Sequence, residues 1–197
     1  MWSSCDLPAT NDTHGLSAMV WDERGRSAYA VQDKHPTIVA LSPDRELRTW
    51  QVGGRVRLDL LEPVDLEALA LLPDGFLVAS EIGPRIFEID RAGHVRGELS
   101  VPRSLRSARE NRSLESLALS PDGHYIFTAN EQATPADGAF SNAERGTLVR
   151  IVRIDRTTGD VVERPYLTDR GFDDGDYGVA DLAALSSTQV LVLERGW

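Results

Sequence analysis

The sequence has little that could cross-link it internally or carry it through a membrane. Cys5 is the single cysteine among 197 residues, which excludes an internal disulfide bond and a cluster of thiolate metal ligands. No stretch approaches the roughly 20 apolar residues that a membrane-spanning helix requires, so no membrane span is expected. The N-terminal residues also lack the charged segment and the apolar segment that together form a signal peptide.

Positive charge is also scarce. The chain carries 21 Lys and Arg residues against 31 Asp and Glu residues, and only Lys34 is a lysine. The formal net charge of −10 argues against a nucleic-acid partner, because such proteins neutralise phosphates with a positively charged surface. Cations or cationic groups match this charge better. The sequence also lacks a phosphate-binding loop, a nucleophile elbow and a His-Glu-x-x-His zinc motif.

What the sequence does contain is a repeated strand unit. Residues 65–93 include three apolar runs of strand length, at 66–72, 76–80 and 85–89. The first two runs are joined by Pro73-Asp74-Gly75, which has the composition of a tight turn. This stretch therefore predicts an antiparallel meander.

The same unit returns at 14–33, 113–131 and 177–194, and successive copies start 48 to 66 residues apart. This spacing is typical of propeller blades. We predict an all-β fold, a β-propeller of four-stranded antiparallel blades, with about three and a half blades present. The fourth strand of the first blade is expected at 47–52, and the first strand of the third blade at 114–119. Closed propellers have about four to eight blades, so we expect a C-terminally truncated part of a five- or six-bladed propeller. Residues 1–12 would form a lead-in and 13–197 the propeller; a complete protein with an open sheet is the alternative.

Each unit carries polar, mostly acidic residues near the start of its first strand and at the end of its second. Because an antiparallel hairpin brings these two positions to the same end of the sheet, we expect the acids to converge. Carboxylates suit Ca²⁺, which takes about six to eight oxygen ligands. The candidate metal ligands are Glu67, Glu81, Glu115, Glu131, Asp181 and Glu194, and a second, looser set is Asp173, Asp174 and Asp176. The alternative is that these acids are solvated strand ends.

Arginines recur every three residues in the connection at 102–113. They are Arg103, Arg106, Arg109 and Arg112. On a short helical turn they would share one face and could hold a phosphate or a carboxylate, although an arginine-rich loop that neutralises nearby acids is the alternative. Arg85 follows the strand end that carries Glu81, and Arg195 follows Glu194 directly. We predict an ion pair in each case.

Three short motifs stand in order along the chain. They are Leu66-Glu67-Ala68-Leu69-Ala70 with Ser80-Glu81, residues 111–118 (NRSLESLA) with Asn130-Glu131, and residues 191–195 (LVLER). Together they resemble the motifs of the phytase-like domain family, also described as the esterase-like activity of phytase family. The resemblance spans 13–195 and implies a β-propeller, an extracellular or periplasmic location, and hydrolysis of an ester or phosphoester.

The resemblance also implies roles for single residues. The motif positions are matched by Glu67, Glu81, Glu115, Glu131, Glu194 and Arg195, and more loosely by Asn111 and Asp33. The expected substrate-binding residues are Arg85, Arg103, Arg106, Asn111 and Arg195, and no catalytic residue is assigned. In the implied reaction, Ca²⁺ neutralises a phosphate and activates water while arginine holds the other oxygens.

Two other functions fit the same features. One is a non-catalytic secreted propeller that binds a ligand or protein, with any calcium purely structural. The other is a lactonase- or esterase-type propeller with one metal ion and no preference for phosphate. In the enzymatic interpretations the expected partner is a small anionic ester.

Overall fold

The computed structural model of the chain describes residues 7–171 and 177–196. Within these residues the strands pair in chain order into three four-stranded antiparallel sheets and one two-stranded sheet. The first blade consists of β1 (Leu16–Asp22), β2 (Ser27–Gln32), β3 (Thr37–Pro43) and β4 (Trp50–Arg57). The second consists of β5 (Leu66–Leu72), β6 (Gly75–Ser80), β7 (Arg85–Asp90) and β8 (Val95–Leu99).

The third blade begins after α1 (Arg103–Arg106), a helix of four residues. It consists of β9 (Ala118–Leu119), β10 (Tyr125–Ala129), β11 (Leu148–Asp155) and β12 (Val161–Leu167). The fourth blade contains β13 (Tyr177–Ala184) and β14 (Val190–Gly196). The predicted fold class, a propeller with about three and a half blades, is confirmed. No helix in the described residues has the length and apolar character needed to cross a membrane.

Strand β6 is almost wholly apolar because neighbouring blades cover both of its faces. All six residues of β6 are buried, whereas β8 at the outer edge is exposed along most of its length. Blades one and two share a core in which Tyr29 packs edge-on against Phe76, with ring centroids 5.0 Å apart. Burial of each large apolar side chain in such a core contributes about 1.5–3 kcal/mol to stability.

Two predicted strands differ from the observed ones, and side-chain hydrogen bonds explain both differences. The fourth strand, predicted at 47–52, begins only at Trp50, because the Asp44 carboxylate accepts backbone N–H bonds from Glu46 and Arg48 and lengthens the turn. The first strand of the third blade, predicted at 114–119, is reduced to two residues. There the Ser116 hydroxyl accepts the Ala129 N–H at 3.0 Å, in place of a backbone carbonyl.

Candidate functional site

A one-residue bulge interrupts the first strand in the first, second and fourth blades, and in the first two it holds a polar residue. In β5 the register shifts between Leu66 and Ala68, so Glu67 is the extra residue. Ser17 occupies the equivalent bulge in β1. In the third blade Glu115 follows the Leu114–Asn130 bridge at the same position and donates its N–H to Ala129 O at 3.4 Å. Bulges of this kind re-aim a side chain out of the ladder.

The fourth blade carries the same bulge, but it lies one residue before Asp181, the position that the repeat predicted. Its register shifts between Val179 and Asp181, so the extra residue is Ala180. The second position of each unit is defined by a backbone hydrogen bond. Its N–H donates to the carbonyl oxygen of the residue that stands two positions before the first acid or its equivalent. In the first three blades this residue is Asp33, Glu81 and Glu131. In the fourth blade Arg195 pairs with Gly178 in this place.

We name Ser17, Glu67, Glu115 and Ala180 the first-acid position, and Asp33, Glu81, Glu131 and Arg195 the second-acid position. The assignment of Asp181 and Glu194 to these positions was therefore wrong by one residue. A bulge adds a residue to one strand of a pair without changing the apolar pattern, so the sequence does not reveal it.

The first strands surround a cavity of about 640 Å³. All four residues of the first-acid position line it, together with Asp181 and Arg195. Ser17 donates its hydroxyl to Leu66 O, which joins the first strands of blades one and two beside the cavity. The repeat thus brings Glu67 and Glu115 to one cavity, as predicted, and it brings Asp181 there from a non-equivalent position.

The second blade contributes several carboxylates to the site, and Lys34 pairs with one of them. The Lys34 ammonium lies 2.5 Å from Asp65 Oδ1, and the Asp65 side chain is 6% exposed. Glu81 is buried and accepts the Ser113 N–H at 2.6 Å, while burial raises its pKa. Burial, followed by the charge of Glu115, raises the pKa of Glu67 to about 8.

The third blade has a fully buried carboxylate between charged neighbours. The Glu131 side chain is 1% exposed, and its Oε2 lies 3.4 Å from Arg112 Nη1. Its other oxygen, Oε1, accepts no hydrogen bond within the described part of the chain. Burial raises the pKa of Glu131 to about 7, against the opposing effect of Arg112. Burial and the charge of Glu131 raise the pKa of Glu115 to about 8, against the opposing effect of Arg195.

Glu194 has a different environment from these acids. Its Oε1 accepts the Tyr166 hydroxyl at 2.5 Å, and its Oε2 accepts the Asp169 N–H at 2.8 Å. Burial and this hydrogen bond raise the pKa of Tyr166 to about 12. Glu194 thus joins the fourth blade to the outer strand of the third, and the predicted Glu194–Arg195 ion pair is not among the contacts of the described residues.

The predicted arginine face does not form. The helix ends at Arg106, and three of the four arginines contact separate partners. Arg106 donates to Val101 O, and Arg109 donates to Ala133 O and Gly138 O. Arg112 reaches Glu131, as the neutralising alternative requires. Arg103 is exposed.

Two further substrate-binding candidates, Arg85 and Asn111, do not line the cavity. Arg85 forms a two-pronged ion pair with Glu98, at 3.1 and 2.5 Å, and stacks 4.6 Å above the Phe87 ring. The prediction of an Arg85–Glu81 pair was therefore wrong. Asn111 is exposed with φ +53°, and its carbonyl accepts a bond from Arg112. Of the five candidates, Arg195 alone lines the cavity in the described residues.

The carboxylates have the right donor atoms for a hard cation, but they are not arranged as a complete set of metal ligands. Carboxylate oxygens are the ligands that Ca²⁺ prefers, and the unbonded Glu131 Oε1 is an acceptor that a cation could use. However, no three acidic or histidine side chains among residues 7–171 and 177–196 are arranged to hold one metal ion. Binding would need a change of side-chain rotamer or water ligands. Asp173, Asp174 and Asp176 lie outside the described residues.

Two residues beside the acids were not among the candidates. Asp65 and Lys34 form the ion pair next to Glu67. A sequence signal existed for each: Asp65 stands two residues before Glu67, and Lys34 follows Asp33. Local spacing in the chain would have been enough to include them.

The family model described as "Phytase-like: Esterase-like activity of phytase" matches residues 11–197 of the chain. No curated protein matches the chain. A solved structure from Lactobacillus plantarum is similar at TM-score 0.50 and 17% identity, over 92% of this chain and 51% of the other. U3-55K is similar at TM-score 0.53 and 11% identity, over 93% of this chain and 48% of its own.

A structure of the RRP9 WD40 repeats is similar at TM-score 0.50 and 11% identity, over 90% of this chain and 44% of its own. WD40 repeats form β-propellers, so this match agrees with the blade topology. At these identities the likeness is one of fold. The chain spans about half the length of the solved structures that it matches.

Proposed function

This chain belongs to the phytase-like family, and from that membership we propose that it is a hydrolase whose active site is the cavity lined by Glu67 and Glu115. The proposed substrate is a small ester, with a phosphoester as the first candidate, and the proposed cofactor is Ca²⁺. This class follows from the family description, which names phytase and esterase-like activity.

The observation that supports the proposal most directly is that two carboxyl groups from neighbouring blades lie on the wall of one cavity. Glu67 and Glu115 come from equivalent positions in neighbouring blades and line the same cavity. Their pKa values are raised to about 8, so both hold a proton near neutral pH when no cation is present. Strongly raised carboxyl pKa values in a cavity are typical of functional sites rather than of solvated strand ends.

A bound cation would remove the cost of bringing these acids together. Glu67 and Glu115 would hold it from the cavity wall, with Glu81 and Glu131 behind them in the second-acid position. When bound, Ca²⁺ would neutralise an anionic substrate and make a water molecule more acidic. The chain itself would release protons from Glu67 and Glu115 as the cation binds.

One observation favours a non-catalytic propeller instead. Several of the acids already serve the packing of the fold: Glu81 accepts the Ser113 N–H, and Asp65 pairs with Lys34. In that interpretation the cavity binds a ligand or protein without turnover, and calcium is structural. Hydrolysis therefore has to be measured directly.

The test is hydrolysis of p-nitrophenyl phosphate and p-nitrophenyl acetate by the folded chain, in Ca²⁺ and in excess EDTA. We expect calcium-dependent turnover that falls at least about tenfold in Glu67→Gln and in Glu115→Gln, the usual scale for loss of one group that acts in the reaction. Glu144→Gln is the matched control, because Glu144 is exposed and does not line the cavity. Absence of turnover by a correctly folded parent with Ca²⁺ would refute the hydrolase proposal in favour of the binding function.

The family membership also supports an extracellular or periplasmic location, which we propose on that ground alone. Calcium is abundant outside cells, where weak sites with dissociation constants of about 10⁻⁴–10⁻³ M are occupied. Fractionation of a native host and detection of the chain in each fraction would test the location.

A further inference from the structure

The fourth blade departs from the acidic pattern of its neighbours at both positions of the repeat. In the second and third blades the first-acid position is Glu67 and Glu115, and the second-acid position is Glu81 and Glu131. The fourth blade has Ala180 and Arg195 in these places. The fourth blade therefore has a methyl group and a guanidinium where the second and third blades each have two carboxyl groups.

Both exchanged residues face the cavity that Glu67 and Glu115 line. Ala180 and Arg195 line it together with Glu67 and Glu115. Arg195 lies close enough to the third blade to lower the pKa of Glu115 and of Glu131. The cavity therefore has Glu67 and Glu115 from the second and third blades, and both Asp181 and a cation, Arg195, from the fourth.

We propose that the fourth blade forms the subsite for an anionic group of the ligand, with Arg195 as the residue that determines this specificity. A guanidinium presents donors in a planar fork that matches the oxygens of a phosphate or carboxylate. Ala180 leaves room beside it, because its methyl group replaces the longer side chain of Glu67 or Glu115. Among the described residues that line the cavity, Arg195 is the only cation, so the charged end of an anion lies beside it rather than beside Glu67 and Glu115.

This orientation places the rest of the ligand toward Glu67 and Glu115. For turnover, the inference rests on the proposed hydrolase function: the ester bond would lie beside Glu67 and Glu115 and the anionic group beside Arg195. The subsite itself is a statement about binding and holds for a non-catalytic propeller as well. Binding and hydrolysis therefore test the two proposals separately.

The experiment is a calorimetric titration of the folded chain with inorganic phosphate in EDTA at pH 7. We expect Arg195→Gln to weaken phosphate binding at least about tenfold, the loss associated with one charge-assisted hydrogen-bonded pair, and Arg195→Lys to weaken it less. Ala180→Glu, which restores the acid at this position, should weaken binding to a similar extent as Arg195→Gln. It is an independent variant if Arg195→Gln does not fold.

The matched control is Arg96→Gln, because Arg96 pairs with Asp74 at the opposite end of the second blade and does not line the cavity. It should bind phosphate as the parent does. A parent that binds no phosphate, or Arg195→Gln and Ala180→Glu variants that bind it as tightly as the parent, would overturn the subsite. Phosphate binding without ester turnover would support the subsite and count against the hydrolase proposal alone.

Discussion

The Glu81 carboxylate of the second blade accepts a hydrogen bond of 2.6 Å from the backbone N–H of Ser113, which leads into the third blade. Both residues are buried, Ser113 at 2% and Glu81 at 9% exposure. One of the repeated acids thus joins adjacent blades before any ligand binds. The structural role of Glu81 requires that its carboxylate accept the Ser113 N–H, whereas a role in cation binding does not. The two roles can therefore be tested separately.

Replacement of Glu81 should therefore test the inter-blade contact. We expect Glu81→Ala to lower the free energy of unfolding by about 1–3 kcal/mol, because a buried N–H loses its acceptor. Glu81→Gln retains an oxygen acceptor and should cost less. Urea unfolding at neutral pH measures both, with the exposed Glu144→Ala as control. Equal losses for the alanine and glutamine variants would count against the hydrogen bond as the cause.

The stability of the metal-free chain should decrease as the pH rises. The pKa values of Glu67 and Glu115 are raised from 4.5 to about 8 in the folded state, so the folded chain binds more protons than the unfolded chain between these values. This contribution is complete below about pH 4.5 and is lost as the pH rises through 8. Each extra bound proton gives a slope of at most about 1.4 kcal/mol per pH unit.

Unfolding midpoints in EDTA across this pH range will measure the effect. The double variant Glu67→Gln, Glu115→Gln should show a flatter profile, because its amides do not titrate. The remaining slope should come from Glu131, whose pKa is raised to about 7, and from Glu81 and Asp181, whose pKa values burial also raises. A double variant with the same pH profile as the parent would disprove the assignment to Glu67 and Glu115.

Calcium should stabilise the parent and not the same double variant. A ligand that binds only the folded state raises the free energy of unfolding by about 2.7 kcal/mol at a hundredfold excess over its dissociation constant. Because the carboxyl groups must lose their protons first, the calcium affinity should increase as the pH rises toward 8. Thermal unfolding with increasing Ca²⁺ at two pH values tests both statements. No response in a folded parent would remove calcium from the proposal.

Two turns with the same sequence, Pro-Asp-Gly, should respond differently to alanine. A Cβ on Gly75 would lie 2.1 Å from the Ile89 carbonyl oxygen, so the backbone must move and Gly75→Ala should cost about 3 kcal/mol. Gly123 has φ +75° and open space around it, so Gly123→Ala should cost only about 1 kcal/mol of backbone strain. Chemical unfolding of the two variants gives the comparison. A Gly75→Ala variant as stable as Gly123→Ala would exclude the close contact.

Much of the candidate site was predictable because its residues repeat within short strand pairs. Glu67 and Glu115 were assigned from the recurrence of an acid before an apolar run, and the structure brings both to one cavity. Asp181 and Glu194 were misplaced, because the bulge at Ala180 shifts the register by one residue. Arg85 was misassigned for a similar reason: its partner Glu98 is on the adjacent strand β8, and the chain position of Arg85 suggested Glu81 instead.

The sequence by itself determined the strand order, the turns, the blade architecture and the family, because these depend on local periodicity and on motifs that recur within each unit. Only the tertiary structure decided which acids share a cavity, which are used in packing, and where Arg195 stands among them. The physical reason is that burial, pKa shifts and ion pairs depend on contacts between blades. Those contacts join residues that are tens of positions apart, and a single bulged residue is enough to redirect them.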